Sequence, residues 1–112
     1  MKIYHNPRCK KSRAGLAFLV EKGIDPEVRE YLKDPLSIEE LEQLTRKLGI
    51  TAGELVRKQE EKYRKELKGK DISEEEWIHI LVENPKLIRR PIIEKDDKAV
   101  IGDPVENIQP LL

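Results

Sequence analysis

Apolar positions divide the chain into short strand-like runs and longer amphipathic stretches. Residues 2–5 are typical of a short strand, which Asn6-Pro7 ends with a turn. Over residues 10–22 the apolar positions recur at helical spacing, and Gly23 follows where a helix commonly stops. Weak alternation over residues 27–31 predicts a second strand. The apolar face of the predicted helix comprises Leu16, Leu19 and Val20, broadened by Ala14, Ala17 and Phe18.

Three further helix starts share one signature, a small polar residue followed three positions later by an acid. The pairs are Ser37 with Glu40, Thr51 with Glu54, and Ser73 with Glu76. Gly49 and Asn84-Pro85 are expected to end the first and third of these helices. Between the second and third, residues 58–70 are almost wholly charged, which is typical of a solvated helical surface.

The last third of the chain predicts a hairpin and a closing helix. Residues 91–93 and 99–101 are apolar and flank Asp96-Asp97, which predicts a β-hairpin. Asp103 followed by Pro104 predicts the N-cap and first position of a helix. The order is therefore β-α-β, a helical insert at about 37–84, then β-β-α. We expect one α/β domain over residues 1–112, with a thioredoxin-like fold that carries this insert.

Composition limits the binding partners and the cellular location that we expect for the protein. The 22 basic residues balance the 22 acidic ones, so no cationic excess favours direct nucleic-acid binding. No apolar run approaches the ~20 residues that cross a bilayer, and the start lacks a secretory signal. We therefore expect a cytoplasmic protein with no membrane partner. One cysteine and two distant histidines lack the spacing of a metal site.

The candidate chemistry lies in the segment His5-Asn6-Pro7-Arg8-Cys9-Lys10-Lys11-Ser12-Arg13. Cys9 falls where the first strand passes into the first helix, and the free N–H groups and dipole of a helix start favour a thiolate. The neighbouring cations strengthen that effect, and His5 would add to it when protonated. Such a site also collects oxyanions. Cys9 is thus predicted to be a nucleophile toward a tetrahedral oxyanion, the alternative being a small buried core residue.

Ser12 limits the redox chemistry that Cys9 can perform. The pair Cys9-Lys10-Lys11-Ser12 holds no second thiol, so a redox cycle needs an external one, for which glutathione with glutaredoxin is the natural supply. The Ser12 hydroxyl could donate a hydrogen bond to the thiolate or cap the helix.

Four segments resemble the glutaredoxin-coupled arsenate reductase family (ArsC/Spx/YffB-like), which also contains the Spx regulators. The resemblance covers essentially the whole chain. The segments are Ile3-Tyr4-His5-Asn6-Pro7-Arg8-Cys9 with Ser12-Arg13, Glu30-Tyr31-Leu32, Leu55-Val56-Arg57-Lys58, and Asn84-Pro85-Lys86-Leu87-Ile88-Arg89-Arg90-Pro91-Ile92.

The resemblance implies a mechanism and a set of site residues. The cysteine matching Cys9 attacks arsenate, glutathione displaces an oxygen from the adduct, and glutaredoxin resolves the product so that arsenite leaves. The arginines matching Arg57 and Arg90 hold the oxyanion, and the residue matching Pro91 follows a cis peptide bond. The histidine matching His5 assists the thiolate. Asn6, Ser12 and Arg13 belong to the same motif and take supporting roles. No bound cofactor is implied, since glutathione acts as a co-substrate.

One departure from the family pattern keeps other functions open. The reductases commonly place a third arginine before the last helix, where this chain has Asp103-Pro104. Glutathione-dependent thiol chemistry on another substrate is therefore an alternative. A regulator of the Spx type, docking on the C-terminal domain of the RNA polymerase α-subunit, is another. Ser12 argues against it, since those regulators usually carry a Cys-x-x-Cys switch.

Overall fold

The computed structural model describes residues 1–112, which group into two compact units. The sheet unit comprises Met1–Asp34 and Arg90–Leu112, and the helical unit comprises Pro35–Arg89. The expected insert at 37–84 lies inside the helical unit. That the two units form a single domain stays a prediction.

The sheet unit has a βαβ segment followed by a hairpin. Its elements are β1 (Lys2–Tyr4), α1 (Lys10–Glu21), β2 (Glu27–Arg29), β3 (Ile92–Lys95), β4 (Lys98–Ile101) and a closing 3-10 helix (Val105–Leu111). The strand order is β2-β1-β3-β4, with β1 parallel to β2 and antiparallel to β3. The β3–β4 hairpin turns at Asp96, whose φ is 56°. This is the element order that the sequence predicts, apart from the 3-10 form of the last helix.

Helix α1 buries a narrower strip than its sequence predicts. Its buried positions are Ser12, Gly15 and Leu19, whereas Val20 is 60% exposed and the two alanines of the expected face are exposed. Gly15 explains the difference, because a Cβ there would lie 2.6 Å from Cγ of Pro91. Leu16 and Phe18 are partly buried and pack against the core that contains Leu19. The predicted apolar face is therefore confirmed at these three positions and wrong at Ala14, Ala17 and Val20.

The helical unit begins with α2 (Ile38–Leu48) and ends with α3 (Glu74–Glu83) and a 3-10 turn (Pro85–Leu87). Complete capping boxes at Ser37 and Ser73 confirm two of the three predicted helix starts. At Thr51 the hydroxyl accepts the Glu54 N–H at 3.2 Å, yet only a 3-10 turn (Gly53–Leu55) forms.

The rest of the helical unit is compact in its core and charged outside. Within the charged run 58–70, a π-helical turn (Tyr63–Leu67) forms and only Leu67 is buried. Leu41 and Leu44 are the buried leucines of α2, and Ile78 and Leu81 are the buried residues of α3. None of the helices in the chain has the length and apolar character that a membrane-spanning helix requires.

Asp103 does not act as the predicted N-cap. The closing 3-10 helix starts after Pro104, and no side chain caps it. The Asp103 carboxylate instead forms an ion pair with Lys11, with Oδ2 and Nζ 3.1 Å apart. Lys11, on the first turn of α1, is thus the partner of the carboxylate in place of the N–H groups of the 3-10 helix. The N-cap interpretation is therefore wrong.

Candidate active site

Cys9 is the N-cap residue of α1. Its backbone is extended, with φ −91° and ψ 125°, and its carbonyl accepts the Arg13 N–H at 2.9 Å. No side-chain hydrogen bond caps the helix, and no acid lies in its first turn. The cysteine is partly exposed, so it is not the buried core residue that was the alternative. The sulfur is attached where the unsatisfied N–H groups of α1 begin.

The loop before Cys9 is tied to the first turns of α1 by several hydrogen bonds. The Asn6 side-chain oxygen accepts the Arg8 N–H at 3.0 Å, and the Asn6 carbonyl accepts the Cys9 N–H at 3.0 Å. The Arg13 guanidinium reaches back to the carbonyl of Pro7 at 3.1 Å. Asn6 and Arg13 therefore hold the shape of the loop that presents Cys9.

Ser12 lies inside the site and connects two parts of that loop. It is fully buried, its hydroxyl oxygen accepts the Asn6 N–H at 2.9 Å, and the same oxygen lies 2.7 Å from His5 Nδ1. Neither suggested role, a donor to the thiolate or a helix cap, matches these contacts. Ser12 instead joins the end of β1 to α1.

His5 is buried next to this hydroxyl. Burial lowers the pKa of His5, the Glu30 carboxylate opposes the shift, and the Arg13 guanidinium adds to it. The lowered pKa disfavours the protonated imidazole. A contribution of protonated His5 to the charge near Cys9 stays a prediction.

Arg90 and Pro91 precede β3 in the sheet unit. Arg90 is 6% exposed, and its Nε donates a hydrogen bond to the Tyr31 hydroxyl at 2.8 Å. The Arg90–Pro91 peptide bond is cis, as the resemblance implies. Pro91 contacts the Gly15 position of α1, less than two turns after Cys9, and its carbonyl accepts the Gly102 N–H at 2.8 Å.

Arg57 belongs to the helical unit. Its backbone N–H donates to the carbonyl of Leu87 at 2.6 Å, beside an isolated bridge between Val56 and Ile88. Its partly buried guanidinium forms an ion pair with Glu60. A role for Arg57 in binding an oxyanion stays a prediction.

Sequence reasoning did not assign a function to Tyr31, Gly15 or the Lys11–Asp103 pair. Tyr31 lies within one of the motifs quoted above, but its partner is 59 positions further along the chain. A single sequence holds no signal that joins two such distant residues. Gly15 carries only a weak signal, since glycine is a poor helix former in the middle of a helix.

Comparison with known proteins places this arrangement in a family. The model of the ArsC family matches residues 4–111. The chain belongs to the ArsC family. It is 46% identical over 110 residues to an uncharacterized protein, YfgD, of Escherichia coli, covering 96% of this chain and 92% of that protein. To an arsenate reductase of Haemophilus influenzae it is 41% identical over 112 residues, covering 98% and 97%.

A solved structure supports the same assignment. The arsenate reductase from Vibrio cholerae superposes with a TM-score of 0.93 at 39% identity, covering 99% of this chain and 96% of that one. The predicted family resemblance and the α/β thioredoxin-like fold class are thereby confirmed. No group of three or more His, Cys, Asp or Glu side chains comes together as a metal site would need.

Proposed function

We propose that this ArsC-family chain is an arsenate reductase in which the Cys9 thiolate attacks arsenate and external thiols complete the reduction. The observation that carries the proposal is the placement of Cys9. The thiol is partly exposed on the N-cap residue of α1, and neither a side-chain cap nor a first-turn acid competes for the helix N–H groups. Two relatives that are 37% and 41% identical to this chain bear the name arsenate reductase.

The first step forms a sulfur–arsenic bond. The Cys9 thiolate attacks the arsenic of arsenate, one arsenic–oxygen bond breaks, and that oxygen leaves as water after taking two protons from solvent. The product is a thiolate ester of pentavalent arsenic. The helix start can stabilise the charge on the remaining oxygens as the bond forms, which is the usual part played by oriented N–H groups.

The second and third steps need thiols from outside these 112 residues, because Cys9 is their one cysteine. A glutathione thiol displaces a second oxygen as water. A glutaredoxin thiolate then attacks the glutathione sulfur, and the electron pair of the broken sulfur–arsenic bond stays on arsenic, which becomes trivalent. Water finally releases arsenite and regenerates the Cys9 thiolate. The sum is arsenate plus two thiols to arsenite, water and one disulfide.

Two arginines are assigned to the oxyanion in this proposal. Arg90 is buried and held at Nε, and Arg57 is half-buried beside Glu60. A guanidinium is a planar fork that matches two oxygens of a tetrahedral oxyanion. We assign Arg90 as the stronger contact, since its guanidinium is already oriented by a buried partner. In this proposal Cys9 is the nucleophile and each of the two arginines has the role of binding the oxyanion, while His5, Asn6, Ser12, Arg13 and Pro91 have supporting roles.

The direct test measures arsenite formed from arsenate by the purified protein with glutathione and glutaredoxin. Turnover is expected with the native protein and none above background with Cys9→Ser. A parallel assay with thioredoxin and its reductase in place of glutathione and glutaredoxin identifies the reductant. Equal or higher turnover with thioredoxin would overturn the glutaredoxin part of the proposal. Absence of arsenite with both systems would overturn the reductase itself.

The arginine assignment is tested with neighbouring control residues. Arg90→Ala and Arg57→Ala are expected to raise the KM for arsenate by about tenfold or more, because each removes a charged hydrogen-bond donor. Arg89→Ala is the control for Arg90, since Arg89 is exposed and its guanidinium donates to the Glu54 carbonyl at 3.2 Å. Arg64→Ala is the exposed control for Arg57. If a control variant matches its partner, that arginine is removed from the site.

The Lys11–Asp103 ion pair favours a second candidate function. It joins the first turn of α1 to a carboxylate, which reduces the positive charge available to a dianion there. Glutathione-dependent thiol chemistry on a less charged substrate would suffer less from that pairing. Intact-mass analysis after treatment with glutathione disulfide tests this candidate. Rapid addition of one glutathione at Cys9, without arsenate turnover, would favour it over the reductase.

A further inference from the structure

We propose that Tyr31 is a positioning residue for oxyanion binding, acting through its hydrogen bond to Arg90. The inference rests on the proposed function, because it assumes that Arg90 holds the oxyanion that Cys9 attacks. It adds to the proposed site a residue that is neither in the loop before Cys9 nor one of the two arginines. It also explains how the buried Arg90 guanidinium is oriented.

The contact is short, buried and charge-assisted. The Arg90 Nε lies 2.8 Å from the Tyr31 hydroxyl oxygen, and Tyr31 and Arg90 are only 1% and 6% exposed. Hydrogen bonds to a charged group are about twice as strong as neutral ones, and water does not compete with this one. The bond therefore restrains the guanidinium more than a surface contact would.

Tyr31 itself stands on a braced turn. The turn follows β2, and Arg29 bridges it by donating from Nε to the Asp34 carbonyl at 3.1 Å and by pairing with the Asp34 carboxylate at 3.2 Å. The carbonyl of Arg29 also accepts the His5 N–H at 2.8 Å, so the turn is joined to the chain that enters the Cys9 loop. Tyr31 and the Cys9 loop are thus positioned by the same pair of strands.

The choice of nitrogen decides which side of Arg90 can meet a ligand. A guanidinium can offer an oxyanion either its side, through Nε and one terminal nitrogen, or its end, through both terminal nitrogens. The Tyr31 hydroxyl uses the Nε donor that the side-on contact requires. Tyr31 thus occupies the side-on position of Arg90 and sets the angle of the guanidinium plane.

Tyr31→Phe removes the hydroxyl and keeps the ring. We expect the KM for arsenate to rise about tenfold, while kcat changes less than twofold, because a loosened guanidinium weakens binding more than bond formation at sulfur. Tyr4→Phe is the matched control. Tyr4 is also buried in the sheet unit, and its hydroxyl donates to the Glu94 carboxylate at 2.8 Å. That variant is expected to keep both constants within twofold, and urea unfolding reports the stability of each protein.

A binding measurement makes the test independent of turnover. Arsenate is titrated against the alkylation of Cys9 by iodoacetamide, and the concentration that halves the rate is recorded for the native protein and each variant. We expect Tyr31→Phe to raise that concentration about tenfold. In an Arg90→Met background, adding Tyr31→Phe is expected to change it less than twofold, because the residue through which Tyr31 acts is gone. If Tyr31→Phe alone does not fold, the pair Arg90→Met and Arg90→Met/Tyr31→Phe still tests the role, because a tenfold effect of Tyr31→Phe without Arg90 would overturn it.

The outcomes separate this inference from the proposed function. Arsenate protection that is equal in the native protein, Tyr31→Phe and Tyr4→Phe overturns the role of Tyr31 and leaves the reductase intact. An equal effect of Tyr31→Phe with and without Arg90 also overturns it. Protection that depends on Tyr31 in a protein without arsenate turnover supports the positioning role and overturns the reductase. Native protein that arsenate does not protect overturns both.

Discussion

The three α-helices of this protein begin in two different ways. Helices α2 and α3 each begin with a serine in a complete capping box, and acids occupy their first turns. Helix α1 begins with Cys9, which has no side-chain cap bond, and its first turn holds cations and no acid. Two starts are thus arranged for stability, and the third leaves its N–H groups and positive end for another partner.

The difference shows where stability has been given up for chemistry. A serine at the N-cap with an acid three positions on satisfies two backbone donors, which is worth about 1 kcal/mol. At α1 the compensating contacts are the local hydrogen bond between Asn6 and Ser12 and the long-range approach of Gly15 to Pro91. The loop is thus held by neighbours rather than by a local cap.

The largest expected effect comes from giving α1 an ordinary N-cap. Cys9→Ser should abolish arsenate reduction, because the nucleophile is gone. It should leave the free energy of unfolding unchanged or raise it by up to about 1 kcal/mol, because serine is a preferred N-cap residue. Arsenite formation and urea denaturation measure the two effects. A clear loss of stability would contradict the view that Cys9 replaces a cap.

Gly15→Ala should produce the next largest effect. Helix propensity alone predicts a gain of about 0.5 to 1 kcal/mol from this change. The structure predicts the opposite, a loss of about 1 to 3 kcal/mol, because the new Cβ would meet Cγ of Pro91 at 2.6 Å. The sign of the change in urea unfolding decides between them. A gain would show that α1 is not held in place by this contact.

Removal of a cap from α3 should have a smaller effect confined to stability. Ser73→Ala is expected to lower the free energy of unfolding by about 1 kcal/mol. The alkylation rate of Cys9 at neutral pH should stay within twofold of the native rate, since Ser73 caps a helix of the other unit. Alkylation slowed in parallel with the stability loss would mean that the two kinds of helix start are not independent.

The smallest expected effect concerns pH and His5. Burial lowers the folded-state pKa of His5, so the unfolded chain binds more protons as the pH falls through the ordinary range of histidine. The stability contribution of His5 is therefore present above the unfolded-state pKa and lost as the pH decreases toward the folded-state value. Unfolding free energies at pH 7.5 and 5.5 should differ less in His5→Asn than in the native protein. His79→Asn, which changes an exposed histidine on α3, should keep the native difference.

Local chemistry made much of the fold predictable. The signals for capping boxes, for the turn at Asp96 and for helix ends at Gly23 and Gly49 each lie within a few consecutive residues. The structure has left-handed backbone at Asp96, Gly23 and Gly49. The same reasoning overestimated Thr51, whose capping contacts form without a helix following them. A cap signal specifies a start, but continuation depends on what the next residues can pack against.

The candidate site was predictable only where it is contiguous. The position of Cys9 at a helix start followed from the strand, turn and helix signals around it, and the resemblance added Arg57 and Arg90. The contacts that shape the site were not predictable. Asp103 pairs with Lys11, 92 positions earlier in the sequence. Tyr31 forms a hydrogen bond with Arg90, 59 positions later, and neither residue's sequence neighbours indicate that contact.

The amino-acid sequence alone determined the order of the strands and the place of the thiol, since both depend on neighbouring residues, and its one cysteine means that a redox cycle at Cys9 would need a second thiol from outside these residues. Tertiary structure decided the lowered pKa of His5, the partner of Asp103, the contacts of Ser12 and the hydrogen bond that orients Arg90. Burial and long-range hydrogen bonds set those properties, and both arise only when segments far apart in the chain are packed together.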